Sequence, residues 1–240
     1  MIVVPASPLR IADSAYEALR ADILVGRFPG GALLSDREIA QRMNISRTPI
    51  REAVQRLAAE GLVEVIPRRG TRVLPLHAAD VREIHQIAGA LELEAALLIA
   101  AGDAPPPPVL RAAVADMAAA LEREDRAAWA EADTRFHFAV VDHCGNGRLA
   151  ALYHAHRGLT DRARYFALHL RTLPVRSAEE HQDMLDALEA RDADRLSAVY
   201  RAHWRRTTTE LLELIARHAA VMPNLAGAAG TSEPKREETT

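Results

Sequence analysis

Cysteine, lysine and aromatic residues are scarce in this chain. Cys144 is the single cysteine among 240 residues, which excludes an internal disulfide and a disulfide-stapled scaffold, and suits a reducing cytosol. Of 30 basic residues, all but Lys235 are arginine, a bias that says more about genome composition than about mechanism. Aromatics make up 4% while Ala, Leu and Arg abound, a balance that favours helices. The opening MIVVPASPLR lacks the basic start and long apolar core of a signal peptide. The most apolar helical run, residues 87–101, contains Glu92 and Glu94 and is short for a bilayer. A soluble, cytoplasmic protein with no membrane partner is expected. With 49% hydrophobic residues, the chain can bury a core for one large domain or two modest ones.

The formal net charge of −3 conceals a partition. Residues 1–76 carry eleven Arg and eight acids, hence +3, and the remainder therefore carries −6. A basic front and an acidic rear point to nucleic acid as the partner of the front alone.

The stretch SDREIAQRMNISRTPIREAVQRLAAEGLVEVIPRRGTRV, residues 35–73, reads as two short helices, a tight turn and a β-hairpin. Ser35 and Glu38 have capping-box spacing, and Ile39, Ala40 and Met43 give the first helix its apolar face. Asn44 tolerates the left-handed conformation that ends it, and Ser46 caps the second helix, with Pro49 harmless in its first turn. Ile50, Val54, Leu57 and Ala58 form that helix's buried stripe, and Gly61 stops it. Arg47, Thr48 and Arg51 gather at its N-terminal end, the end that a recognition helix presents to base edges. Strands over 62–66 and 71–74 flank Pro67-Arg68-Arg69-Gly70, a basic turn suited to tracking a DNA backbone or minor groove. Residues 37–72 hold eight Arg against four Glu, a local +4.

These residues, from P-G through E-I-A, I-S-R-T-P-I-R-E-A-V and E-G-L-V to P-R-R-G-T-R-V, resemble the winged helix-turn-helix of the GntR transcription regulators over residues 10–75. The resemblance places Arg37, Arg47, Thr48, Arg51 and Gly70 at the family's DNA-contacting positions. Ser46 at the helix start and Arg68 and Arg69 of the basic turn complete the candidate DNA-binding set. Asn44 and Ile45 replace the usual Gly-Val of the turn.

Upstream, Ile11, Ala15, Leu19 and Ile23 predict a first helix ending near Gly26, after a loose arm over residues 1–8. Beyond a boundary at 75–78 the pattern is helical throughout, over 79–101, 109–123, 126–143 and 149–170. Ser177 and Glu180 are spaced as a capping box for a helix reaching residue 190, and a last helix starts at Asp192 or Asp194. The fold class expected is mainly α: a winged helix-turn-helix of three helices and a small β-hairpin wing over 9–76, then an all-α antiparallel bundle of about six helices over 79–220. A disordered tail is expected over 221–240.

Ten histidines are unevenly placed. Asp133 and His137, four residues apart, share a helix face with Trp129, Phe136 and Val140. His181 lies on the stripe of Leu185 and Leu188, and His203 lies between Val199, Tyr200 and Leu211. Three helices thus aim one carboxylate and three imidazoles inward. A shared divalent metal ion (zinc, nickel or manganese) and a polar hydrogen-bonded core both account for that pattern. Asp133-x-x-Phe136-His137, Gly145-Asn146, Glu180-His181 and His203 resemble the FCD ligand-binding domain over residues 79–215. The resemblance implies metal ligation by Asp133, His137, His181 and His203, with positions open to a small effector, often a carboxylate. Ala88 stands where the family often places an Arg that pairs with such an effector. That leaves the effector to the metal alone, to His85, Asn146 or His156, or to another Arg that the sequence does not place. His143 and Cys144 read as packing and capping residues.

The function implied is a ligand-responsive regulator, in the repressor sense, acting as a homodimer on a pseudo-palindromic double-stranded DNA operator. Two alternatives stand beside it: a metal-dependent enzyme fused to a DNA-binding head, with Glu179 or Glu180 as base, or a regulator whose bundle only dimerises.

Overall fold

The computed structural model describes residues 8–170 and 173–218. The tail expected over 221–240 and, apart from Pro8, the arm over 1–8 lie outside them. The front of the chain folds as α1 (Pro8–Leu24), β1 (Leu33–Leu34), α2 (Asp36–Met43), α3 (Arg47–Ala59), β2 (Val63–Ile66) and β3 (Gly70–Val73). Ser35 Oγ accepts the Glu38 amide at 3.1 Å and the Glu38 carboxylate accepts the Ser35 amide at 3.2 Å, so the expected capping box starts α2. Asn44 ends α2 in the left-handed region at φ 53°. Ser46 occupies the N-cap position of α3, yet its side chain makes no capping hydrogen bond. Ile23, Ile50, Leu57 and Leu62 are almost wholly buried beneath these helices, each burial contributing roughly 1.5–3 kcal/mol.

The wing has a third strand that the sequence pattern did not suggest. β1 pairs antiparallel with β3, Leu33 opposite Arg72, and β2 pairs with β3 from Val63 opposite Val73 to Ile66 opposite Gly70. Gly70 is needed here on two counts: its φ is +115°, and an added Cβ would stand 2.4 Å from the Leu34 carbonyl oxygen.

Among the described residues the rear is seven helices: α4 (Ala78–Ala101), α5 (Pro108–Glu122), α6 (Arg126–Asp142), α7 (Gly147–Ala155), α8 (Arg157–Leu170), α9 (Val175–Glu189) and α10 (Ala193–His218). Their shared core includes Leu110, Met117, Phe136, Met184, Leu188, Leu196 and Tyr200. α4 is long and apolar enough to cross a membrane. Its Glu92, however, is fully buried among polar partners, and Val81, Ala88 and Ala95 pack into the protein interior, as in a core helix.

Two helix boundaries differ from the expected ones. The single helix over 149–170 is two, because the chain turns at His156 (φ −104°, ψ 4°) so that α8 can lie against the front domain. Gly158 permits that approach: a Cβ there would meet the Glu60 carbonyl oxygen at 2.3 Å. Ser177 does not cap α9, which starts at Val175 behind Pro174. Ser177 is instead buried within the first turn, where its carbonyl and hydroxyl take other partners.

α8 also carries the polar seam between front and rear. Arg20 of α1 donates to Glu60 at 3.0 Å and also to Asp161 of α8, while Arg162 donates to the Leu74 carbonyl. Beside them Leu76, Val81, Ala163, Leu211, Leu214 and Ile215 form a separate apolar cluster that Leu159 joins.

Candidate metal centre and nucleic-acid interface

Five arginines of the front domain, Arg37, Arg47, Arg51, Arg68 and Arg69, line two neighbouring concavities. Arg37, Ser46, Arg47, Thr48, Arg51, Arg68 and Arg69 are all exposed. Arg47 and Arg51 from α3 and Arg68 and Arg69 from the wing line one concavity, with Gly70 at its edge. Arg37, Ser46 and Arg47 line a neighbouring one, so Arg47 belongs to both. Arg51 is held by Asp36 at 3.1 Å while 71% of its side chain stays exposed, so a phosphate or base edge can compete for it.

In the bundle, one ring nitrogen each of His137 (α6), His181 (α9) and His203 (α10) lies within 4.8 Å of the others. His137 Nε2 and His181 Nε2 are 3.1 Å apart, and Asp133 Oδ1 stands 3.5 and 3.4 Å from them. The opposite nitrogen of every ring is already engaged. His137 Nδ1 meets Glu92 Oε2 at 2.8 Å, His181 Nδ1 meets the Ser177 carbonyl at 2.6 Å, and His203 Nδ1 meets Glu180 Oε2 at 2.7 Å. These partners only accept, so each Nδ1 carries a hydrogen and each Nε2 is left to face the common point. That is how metal-binding imidazoles are held: the outer hydrogen bond sets tautomer and ring orientation.

The residues fit a first-row divalent ion. Ligands bonded to one ion at about 2.1 Å stand roughly 3.0–3.4 Å apart, and the separations among His137, His181 and Asp133, 3.1, 3.4 and 3.5 Å, are of that size, with His203 within 4.8 Å of the other two imidazoles. The electrostatics agree. Burial opposes ionisation of Asp133, but His137 and Arg164 hold its carboxyl far below the usual range. Burial and Arg164 oppose protonation of His137, yet Glu92 and Asp133 outweigh them and raise its pKa. Burial depresses His181 and His203. Positive charge at the centre of the cluster, as a proton or as a metal ion, is what these groups call for.

Comparison with known proteins gives this geometry a family. The model described as "Bacterial regulatory proteins, gntR family" matches residues 11–73, and the FCD domain model matches residues 83–206. The chain belongs to the GntR family. It is 34% identical over 185 residues, 77% of this chain and 81% of the relative, to a Paenarthrobacter nicotinovorans protein named "Probable D-xylose utilization operon transcriptional repressor". It is 42% identical over 133 residues, 54% of this chain and 78% of the relative, to an HTH-type transcriptional regulator of an intergenic region in Agrobacterium vitis. Among solved structures, E. coli McbR/YncC superposes with a TM-score of 0.71 at 19% identity, over 85% of this chain and 97% of that one, a likeness of fold. These relatives are transcriptional regulators, not enzymes. GntR regulators bind DNA operators and are typically dimeric, and FCD domains are often metal-binding.

Within this GntR regulator, His85 lines the same cavity as Asp133, His137 and His203. Burial, then Arg164 and His203, push the His85 pKa down to about 3, so it is neutral and hydrogen-bonded to Thr208 at 2.9 Å. Asn146 does not line that cavity: it caps α7 by accepting the Arg148 and Leu149 amides at 3.2 and 3.1 Å. His156, at the α7–α8 break, does not line it either. His143 bonds the Ala139 carbonyl at 2.9 Å and Cys144 is buried beside the Asn146 amide.

The sequence alone did not mark Glu92, Arg164 or Arg206 as residues of the site. Glu92 accepts from His137, from Trp204 Nε1 at 3.1 Å and from Tyr153. A carboxylate four residues after Ala88 on an apolar helix stripe is the signal that could have found it. Glu180, the base considered for an enzymatic reading, is committed elsewhere. Burial opposes its ionisation, but hydrogen bonds from His203 and Arg206 bring its pKa down to about 2. Arg206 in turn donates to Ser177 Oγ at 2.9 Å, which ties α10 to α9.

Proposed function

We propose that this GntR-family chain is a ligand-responsive regulator, a repressor in sense, whose bundle holds a divalent metal through Asp133, His137, His181 and His203. A small effector, an organic acid, binds in the adjoining cavity and changes operator affinity. The observation that carries this reading is the triple engagement of the imidazole Nδ1 atoms, which leaves three ring nitrogens within 4.8 Å of one another and Asp133 beside those of His137 and His181. The metal would supply a Lewis-acidic anchor for an oxygen of the effector. The chain's own residues do the rest: Glu92, Ser177 and Glu180 fix the imidazoles, and the cavity walls limit the effector's size.

On DNA, Arg47, Thr48 and Arg51 read base edges from the major groove, while Arg68 and Arg69 hold phosphate or minor groove. The regulator works as a homodimer on a pseudo-palindromic operator in the cytoplasm, with half-site separation set by its two-fold symmetry. α8 supports a route between the sites. Arg164 lies 3.6 Å from Asp133, and Asp161 and Arg162, within a turn of it, hold Arg20 and the Leu74 carbonyl of the front domain. An effector that binds one arrangement of α8 more tightly than another shifts the population of DNA-competent chains, and only that difference in affinity can do so.

The wing assignment has a direct check. Arg69→Ala should weaken binding to all sequences about equally and flatten the slope of log K against log salt by about 0.9, one phosphate contact. Fluorescence anisotropy with a labelled operator between low and physiological salt measures it. An unchanged slope would remove Arg69 from the interface.

A further inference from the structure

The bundle contains a buried cation with too few partners. Arg164 enters the metal-site cavity from α8, and its side chain is 18% exposed. Both of its terminal guanidinium nitrogens are buried without a hydrogen-bond partner among the described residues. Its nearest carboxylate contacts, Nε to Asp133 Oδ2 at 3.6 Å and a terminal nitrogen to Glu92 Oε1 at 3.8 Å, are too long for hydrogen bonds. Nor is Glu92 free to move closer, since Tyr153 occupies one of its oxygens and His137 and Trp204 the other. A buried guanidinium left in this state is costly, and an anion with two coplanar oxygens is the ligand its fork fits.

We infer that Arg164 is the anion-binding group of the effector pocket, replacing from α8 the arginine that α4 lacks at Ala88, and that the effector is a short monocarboxylate. This rests on the metal-centre reading given above. Charge fixes the ligand's valence. Glu92 and Asp133 contribute −2, Arg164 +1 and the neutral imidazoles nothing, so a divalent ion brings the cavity to +1. One monoanion neutralises it, whereas a dianion would leave a buried excess of −1. Outside the cavity lining, Glu180 and Glu210 are balanced by Arg206 and Arg176. Size fixes the length. The cavity, lined also by His85, Trp129 and Trp204, has a volume of about 60 Å³. At roughly 10–15 Å³ for each water, it holds about four to six such positions. A short acid fills that space.

The test uses the full-length protein loaded with zinc, metal content measured for each sample, and calorimetric titration with acetate, glycolate and propionate against malonate and succinate. The wild type should bind the monoanions more tightly than the dianions. Arg164→Met and the neutral Arg164→Gln should keep the metal and bind the monoanions at least about tenfold more weakly, the loss expected for a charge-assisted pair. Unchanged affinity in a metal-loaded Arg164 variant would overturn this proposal and leave the metal centre standing. A wild type that takes up no zinc would overturn both. Preference for the dianions, or binding of no acid in the set, would overturn the monocarboxylate assignment without recourse to any variant.

Discussion

Glu92→Ala is expected to be among the most disruptive single changes in the bundle. Its carboxylate is fully buried and serves three donors, His137 Nδ1, Trp204 Nε1 and the Tyr153 hydroxyl, with Arg164 close by. Burial opposes its ionisation, but His137, Arg164 and Tyr153 together hold its pKa below the usual carboxylate value. Removing it strands three buried donors and leaves Arg164 facing Asp133 alone. Breaking a buried ionic arrangement by deleting one partner costs about 3–5 kcal/mol. The midpoint of urea unfolding should fall accordingly. Glu92→Gln is the gentler variant, because it keeps the shape and one acceptor. In that variant His137 loses the charge that orients its ring, and metal affinity should fall about 10- to 100-fold. Competition with a fluorescent zinc chelator reads this directly. Full metal affinity in Glu92→Gln would mean that the His137–Glu92 contact does not orient a ligand.

The second large effect belongs to the recognition helix. Arg47 is exposed, lines both concavities of the basic face and makes no ion pair with the described residues. Arg47→Ala should cost about 1–3 kcal/mol of operator binding, roughly 5- to 150-fold, and should relax selectivity at one position in each half-site. The protein's unfolding should be unaffected. Binding measured against a panel of single-base operator variants separates this from the uniform weakening expected of Arg69→Ala. An unchanged operator affinity would displace Arg47 from the groove.

The two halves of the molecule were unequally legible in the sequence. The front could be read almost residue by residue because its signals are local. The Ser35–Glu38 box, the left-handed Asn44 and the basic turn at 67–70 each act within a few residues. What escaped was β1, a two-residue strand too short for any alternation, whose existence depends on its pairing with β3. In the rear, inward polar residues at helical spacing exposed Asp133, His137, His181 and His203. The break between α7 and α8 was hidden, because it answers to Glu60, about a hundred residues away in sequence, through Gly158. Arg164 was hidden for the same reason. Its meaning comes from Asp133, Glu92 and an α4 that offers only Ala88, and no window of sequence contains all of them. Ser177 and Glu180 show the converse risk. Their spacing matched a cap, but Pro174 starts the helix, and both residues serve the histidine cluster instead.

The central claim is that the three imidazoles and Asp133 surround a metal ion and not a proton. Inductively coupled plasma mass spectrometry of the purified protein, wild type beside His137→Ala, tests it most directly. The account predicts about one divalent ion for each wild-type chain and none in the variant. Wild-type protein that holds no ion, even after reconstitution with zinc, nickel and manganese, would contradict it and return the cluster to a protonated, hydrogen-bonded core.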